Sequence, residues 1–130
     1  MKNKTFRESF RHALDGIKMI VKTERNMKIH LVMTILVILC SVLFGLTASE
    51  KAIVISLCAL VICAELVNTA IENAVDMSTA VFNMYAKRAK DASAGAVLVI
   101  SIGAAVAGLI IFIPYGIDLI IDVIRLMKGI

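Results

Sequence analysis

The chain has 130 residues, is 60% hydrophobic, and carries only five Phe, two Tyr and no Trp. That aliphatic excess excludes an ordinary soluble domain, which at this length carries more charge and fewer apolar runs. The net charge of +4 requires no nucleic acid, because anionic lipid headgroups are sufficient partners for clustered basic residues.

Residues 1–28 predict an amphipathic surface helix. Phe6, Phe10, Ala13, Leu14, Ile17, Ile20 and Val21 fall within roughly a third of the helical circle, with Arg7, Glu8, Arg11, Asp15, Lys18 and Lys22 opposite. A helix with this layout lies in the membrane interface with its basic face toward the cytosol. Glu24 breaks the pattern by returning to the angular position of Phe6. Either the helix has ended by then and the angle carries no meaning, or Glu24 is aimed at the bundle. His12 and His30 read as interfacial polar residues, since neither has a second histidine at ligand spacing. No cleavable signal peptide is expected, because the first apolar run follows a charged stretch of 28 residues without a small-residue cleavage site.

Three transmembrane spans are predicted, at 29–49, 52–75 and 92–115. Ile29 to Ser49 and Ala92 to Ile117 contain no Asp, Glu, Lys or Arg, and a span needs about 20 such residues. Ser49-Glu50-Lys51 is expected to form the turn between the first two spans. Cys40, Cys58 and Cys63 all fall inside spans with no CxxC spacing, so they read as small packing residues. Eight Lys/Arg stand in residues 1–28 (Lys2, Lys4, Arg7, Arg11, Lys18, Lys22, Arg25 and Lys28), and Lys87, Arg88 and Lys90 precede the third span. This asymmetry predicts a multi-pass plasma-membrane protein whose N-terminus and second connection are cytoplasmic and whose C-terminus is outside.

The second span departs from plain hydrophobicity. With Glu65 set to zero, Asn68 falls at about −60°, Glu72 at about −20° and Asp76 at about +20° of helical rotation. Four polar side chains thus form one stripe over three turns, among Leu, Val, Ile and Ala. Intramembrane carboxylates are costly and are functional by default. The competing reading is a structural cluster bridging helices, but one bridge has no need of two glutamates, an aspartate and an amide in register.

After an interfacial turn or helix over Met77 to Ala89, Lys90-Asp91 places an ammonium and a carboxylate at the mouth of the third span. Asp91 suits a helix N-terminus, where Lys90 does not. The third span is rich in small residues, and the pairs Gly103/Ala107 and Ala104/Gly108 allow close helix approach. Three spans form a thin bundle around so polar a stripe, so an oligomer is expected. Pro114 is expected to end the span, followed over 116–130 by a short amphipathic helix with Asp118, Asp122 and Arg125 on one face.

Carboxylates at the membrane interface can hold Mg²⁺, which takes one or two of them plus substrate phosphates. A buried carboxylate can also serve as general base. Neither GxxxxGK[ST] nor GxGxxG occurs, so a nucleotide would depend on Lys90, other basic groups and the metal.

Glu65-Leu-Val-Asn-Thr-Ala-Ile-Glu-Asn-Ala-Val-Asp76, with Ala89-Lys90-Asp91 and a small-residue span after it, resembles the prokaryotic diacylglycerol kinase family. The resemblance runs from about Phe6 to Pro114 and includes Gly16-Ile17 and Glu24. It implies an all-α membrane enzyme with a surface helix and three spans. It further implies a homotrimer with sites between protomers that transfers phosphate from Mg-ATP to a lipid alcohol. By matching position, Glu65 is implied to be the general base and to contact the lipid substrate together with Asn68. Glu24 and Glu72 are implied to be the Mg²⁺ ligands, and Glu24, Glu72, Asp76, Lys90 and Asp91 to form the ATP site. Asn73 and the connection Phe82-Asn83-Met84-Tyr85 depart from the family pattern. Glu24-Arg25-Asn26, Ile29-His30 and Ile110 to Pro114 look like the Gram-positive branch, whose members phosphorylate undecaprenol; diacylglycerol is the alternative substrate. A small proton-coupled transporter fits less well, since the polar groups gather toward one side and Ala52 to Cys63 is apolar except for Ser56. A purely structural oligomer has no use for Glu72, Asp76 and Lys90 together.

Overall fold

The structure is a computed structural model and describes residues 5–79 and 81–128. Lys2 and Lys4 of the basic cluster, and residues 129 and 130 of the predicted tail, lie outside the described residues. The elements are four helices: α1 (Phe6–Thr23), α2 (Arg25–Leu43), α3 (Ala48–Ser78) and α4 (Met84–Lys128). Helices α2, α3 and α4 are each long and apolar enough to cross a membrane, which makes this an all-α membrane protein. Helix α3 lies between α2 and α4 and packs along both, while α1 touches α2 and α3.

The buried apolar set is small: Ile20, Met27, Leu46, Val54, Val61 and Val97. Most large aliphatic side chains point outward, as hydrocarbon solvent permits. Inside a bilayer the stronger requirement is that backbone polar groups pair within each helix.

Local signals set the helix ends. Thr5 caps α1 in a reciprocal capping box with Glu8. Helix α1 stops at Thr23, and Glu24 is extended (φ −90°, ψ 124°), capping one helix and opening the next. Glu24 therefore stands in a break, where helical angle has no meaning, and its direction has to be read from its surroundings.

The turn between α2 and α3 is not Ser49-Glu50-Lys51, as expected from its charge, but Phe44 to Thr47. The amides of Gly45 and Leu46 bond back to the carbonyls of Val42 and Ser41, with Gly45 at φ +67°. That is a Schellman ending, which favours glycine because a Cβ is strained in the left-handed region. Thr47 then caps α3 through a second capping box with Glu50, so Glu50 belongs to the first helical turn. Its carboxylate also accepts from the Tyr115 hydroxyl of α4 at 2.7 Å. The hydroxyls of Thr47 and Tyr115 hold Glu50 below the usual carboxylate range.

Pro114 does not end the helix that carries the third span. Helix α4 runs through it for 45 residues, about 68 Å at the usual rise per residue. The predicted C-terminal helix is accordingly a continuation of α4 and not a separate element. Tyr115 bonding Glu50, and Phe112 packing edge-on against Phe44 with ring centroids 6.1 Å apart, hold this part of α4 against the α2–α3 turn. Proline is tolerated in spanning helices where neighbouring contacts support the freed backbone groups. Gly103 faces outward and nothing lies within 4 Å of a Cβ built on Gly103 or Gly108. These glycines make no close helix approach within the single chain.

Candidate active site

The stripe on α3 is present and graded in burial. Glu65 is 2% exposed and Asn68 7% exposed, Glu72 is half-buried, and Asp76 is exposed. All four share a face because the helix is uninterrupted from Ala48 to Ser78. The Thr69 hydroxyl bonds back to the Glu65 carbonyl at 3.1 Å.

Helix α4 supplies the facing groups, and it starts earlier than expected. Asn83 Oδ1 accepts from the amides of Tyr85 and Ala86 at 2.8 and 3.4 Å, the geometry of an N-cap. Lys90 and Asp91 consequently lie in the second turn rather than at a helix start. Asp91 pairs with Lys87 one turn before it, at 2.6 Å. Lys90 reaches across to α3 and donates to both carboxylate oxygens of Asp76, at 2.9 and 3.0 Å. Lys90 lies outside the uncharged stretch, and its bond to Asp76 holds the ammonium above the usual lysine range.

Deeper in the bundle, the Ser93 hydroxyl donates to Asn68 Oδ1 at 2.7 Å, and Asn68 Nδ2 donates to Glu72 Oε1 at 3.0 Å. Ser93 was not among the expected site residues. Its signal was its spacing three positions after Lys90, which puts both on the face of α4 that meets α3.

Glu24 and His30 approach the stripe from the other side. Both lie within electrostatic reach of Glu65, as does Glu72. Glu24 is half-buried despite standing in a helix break. His30 is half-buried too, on the face of α2 that carries the fully buried Met27. It is therefore turned partly toward α3. The α2–α3 hairpin explains this: counting back from a turn at Phe44–Thr47 sets His30 level with Val61, one helical turn from Glu65.

An open groove of about 410 Å³ lies where α3 gives way to α4, with Asp76, Phe82, Lys87, Lys90 and Asp91 in its lining. Among the described residues no three His, Cys, Asp or Glu side chains form a ready-made metal cage. A cation here would complete its shell with water or phosphate oxygens. Next to the groove, Glu72 keeps one carboxylate oxygen without a side-chain partner, since Asn68 occupies only Oε1; a carboxylate oxygen is the kind of hard donor such a cation takes.

Fold and site together define a membrane protein of three spanning helices with a carboxylate stripe, buried at Glu65, and a groove lined by paired lysines and aspartates beyond it. Residues 11–112 match the family described as prokaryotic diacylglycerol kinase. The chain is 41% identical over 109 residues to an undecaprenol kinase of Bacillus subtilis (strain 168), covering 84% of this chain and 89% of that protein. It is 37% identical over 107 residues to a diacylglycerol kinase of Synechocystis sp., covering 82% of this chain and 61% of that protein. The chain belongs to the prokaryotic diacylglycerol kinase family.

Proposed function

We propose that this protein is an ATP-dependent lipid kinase that phosphorylates undecaprenol, returning it to the undecaprenyl phosphate pool that carries cell-wall precursors. The observation that carries the reading is a nearly inaccessible Glu65 on the same stripe as Glu72 and Asp76, with Lys90 bound to the outer end of that stripe. The undecaprenol kinase of Bacillus subtilis, matched over most of both chains, supports the substrate choice.

Glu65 takes the proton of the lipid hydroxyl, whose oxygen attacks the γ-phosphorus of ATP while the bond to ADP breaks. Asn68 orients the lipid hydroxyl or Glu65. The nucleotide occupies the groove, with Lys90 on its phosphates, Asp76 supporting Lys90 and Asp91 toward the adenine. Glu24 and Glu72 would hold Mg²⁺, which would supply charge neutralisation at the phosphates. Burial of Glu65 keeps water from competing with the lipid for the phosphoryl group.

The working form is a homotrimer in the plasma membrane, with the site at the cytoplasmic face and the end of α4 on the other side. Two features support the arrangement. The glycines of α4 are open to a neighbouring chain, and basic residues cluster in α1 and before the third span. The apolar side chains of α1, from Phe6 to Ile17, are exposed and would rest in the lipid interface.

The test is transfer of labelled phosphate from Mg-ATP by purified protein in lipid vesicles, comparing undecaprenol with diacylglycerol. Undecaprenol is expected to be strongly preferred. Equal or greater transfer to diacylglycerol would overturn the substrate, and no transfer to any lipid alcohol would overturn the kinase.

A further inference from the structure

Asn68 is almost fully buried, and its amide has two chemically different ends. Nδ2 faces the Glu72 carboxylate at 3.0 Å and Oδ1 faces the Ser93 hydroxyl at 2.7 Å. Turning the amide over would set Oδ1 against a carboxylate oxygen, acceptor against acceptor. Ser93 reinforces the observed orientation by placing a donor where the amide oxygen sits. Ser93 is itself only 8% exposed, so water is poorly placed to substitute for the hydroxyl. A serine in a helix commonly bonds back to its own helix, and here the Lys90 carbonyl lies 2.9 Å from the hydroxyl. The hydroxyl has a single proton, and the shorter contact gives it to Asn68, leaving the Lys90 backbone carbonyl as the competing acceptor.

We propose that Ser93 is a positioning residue: by fixing the Asn68 amide it holds the Glu72 carboxylate aimed at the divalent cation that accompanies the nucleotide. The proposal rests on the kinase reading of Asn68 and Glu72 given above. Ser93 touches no reacting atom and acts only through Asn68.

The test compares Ser93→Ala, Ser93→Thr, Asn68→Ala and the double variant Ser93→Ala/Asn68→Ala in vesicles. Two quantities are read: phosphate transfer, and binding of Mn²⁺ as a spectroscopic stand-in with a non-hydrolysable ATP analogue. Ser93→Ala is expected to lower kcat by about tenfold, the usual consequence of orphaning a buried amide. It should also weaken Mn²⁺ binding several-fold, with KM for the lipid unchanged. Ser93→Thr, which keeps the hydroxyl, should restore both. The double variant should be no worse than Asn68→Ala alone, since a residue acting through another adds nothing once that partner is gone. Unchanged Mn²⁺ affinity in Ser93→Ala, or losses that multiply in the double variant, would overturn the proposal. Should Ser93→Ala fail to assemble, Ser93→Cys, a weaker donor of similar size, replaces it in the same comparison. Wild-type protein and Glu65→Gln are assayed alongside: no transfer by the wild type sinks the kinase reading, whereas a normal Ser93→Ala beside a Glu65→Gln slowed by orders of magnitude sinks this inference alone.

Discussion

Lys90 of α4 and Asp76 of α3 are joined by a two-pronged ion pair, with the ammonium 2.9 and 3.0 Å from the two carboxylate oxygens. The pair closes the outer end of the acidic stripe and places a cation at the mouth of the groove. Lys90→Ala is expected to reduce kcat/KM for ATP on the order of 10²-fold, the scale for removing one preorganised phosphate-stabilising group. KM for the lipid should stay put. Steady-state kinetics with each substrate varied in turn decides it, and a selective rise in the lipid KM would move Lys90 to the lipid side of the site.

Glu65→Gln should abolish turnover by roughly 10²–10⁴-fold, the usual contribution of a general base, while size-exclusion profiles and helix content stay native. The substitution keeps shape and removes only proton affinity. Loss of assembly with the charge removed would instead identify the stripe as a structural cluster.

At the opposite end of α3, Thr47→Ala should cost about 1 kcal/mol, typical for a lost N-cap. The measurement is unfolding in detergent by titration with denaturant. Acid should weaken the same end. Glu50 has a depressed folded pKa, so its contribution is present above the unfolded carboxylate range and is lost as pH falls through the lower folded value. Hydrogen-exchange protection in the first turn of α3 should therefore drop on acidification in the native protein, and should not do so in Glu50→Gln.

Gly45→Ala should destabilise by about 1–2 kcal/mol, because Gly45 sits at φ +67° where a Cβ meets the following carbonyl. The space around it is open, so the cost is backbone strain rather than crowding. Thermal unfolding of the variant beside Gly103→Ala separates the two effects. Gly103 has no positive φ, so within the single chain that change should be close to neutral.

The stripe on α3 was legible because it depends only on period. Glu65, Asn68, Glu72 and Asp76 share a face in any regular helix. The errors came where charge was taken as punctuation. Glu50 suggested a turn but is the last residue of a capping box and the third of the helix. Pro114 suggested a stop, yet the Tyr115–Glu50 bond and the Phe44–Phe112 contact lie against a helix that continues.

The sequence by itself determined the membrane class, the three apolar spans and the acidic stripe, since hydropathy and helical period are properties of one segment at a time. Only the tertiary structure decided which residues meet the stripe. Ser93 on Asn68 and Lys90 on Asp76 depend on the register between antiparallel helices. That register is set by the Asn83-capped turn between α3 and α4. A shift of a single residue in that turn rotates the facing helix by about 100° and carries these partners off the stripe.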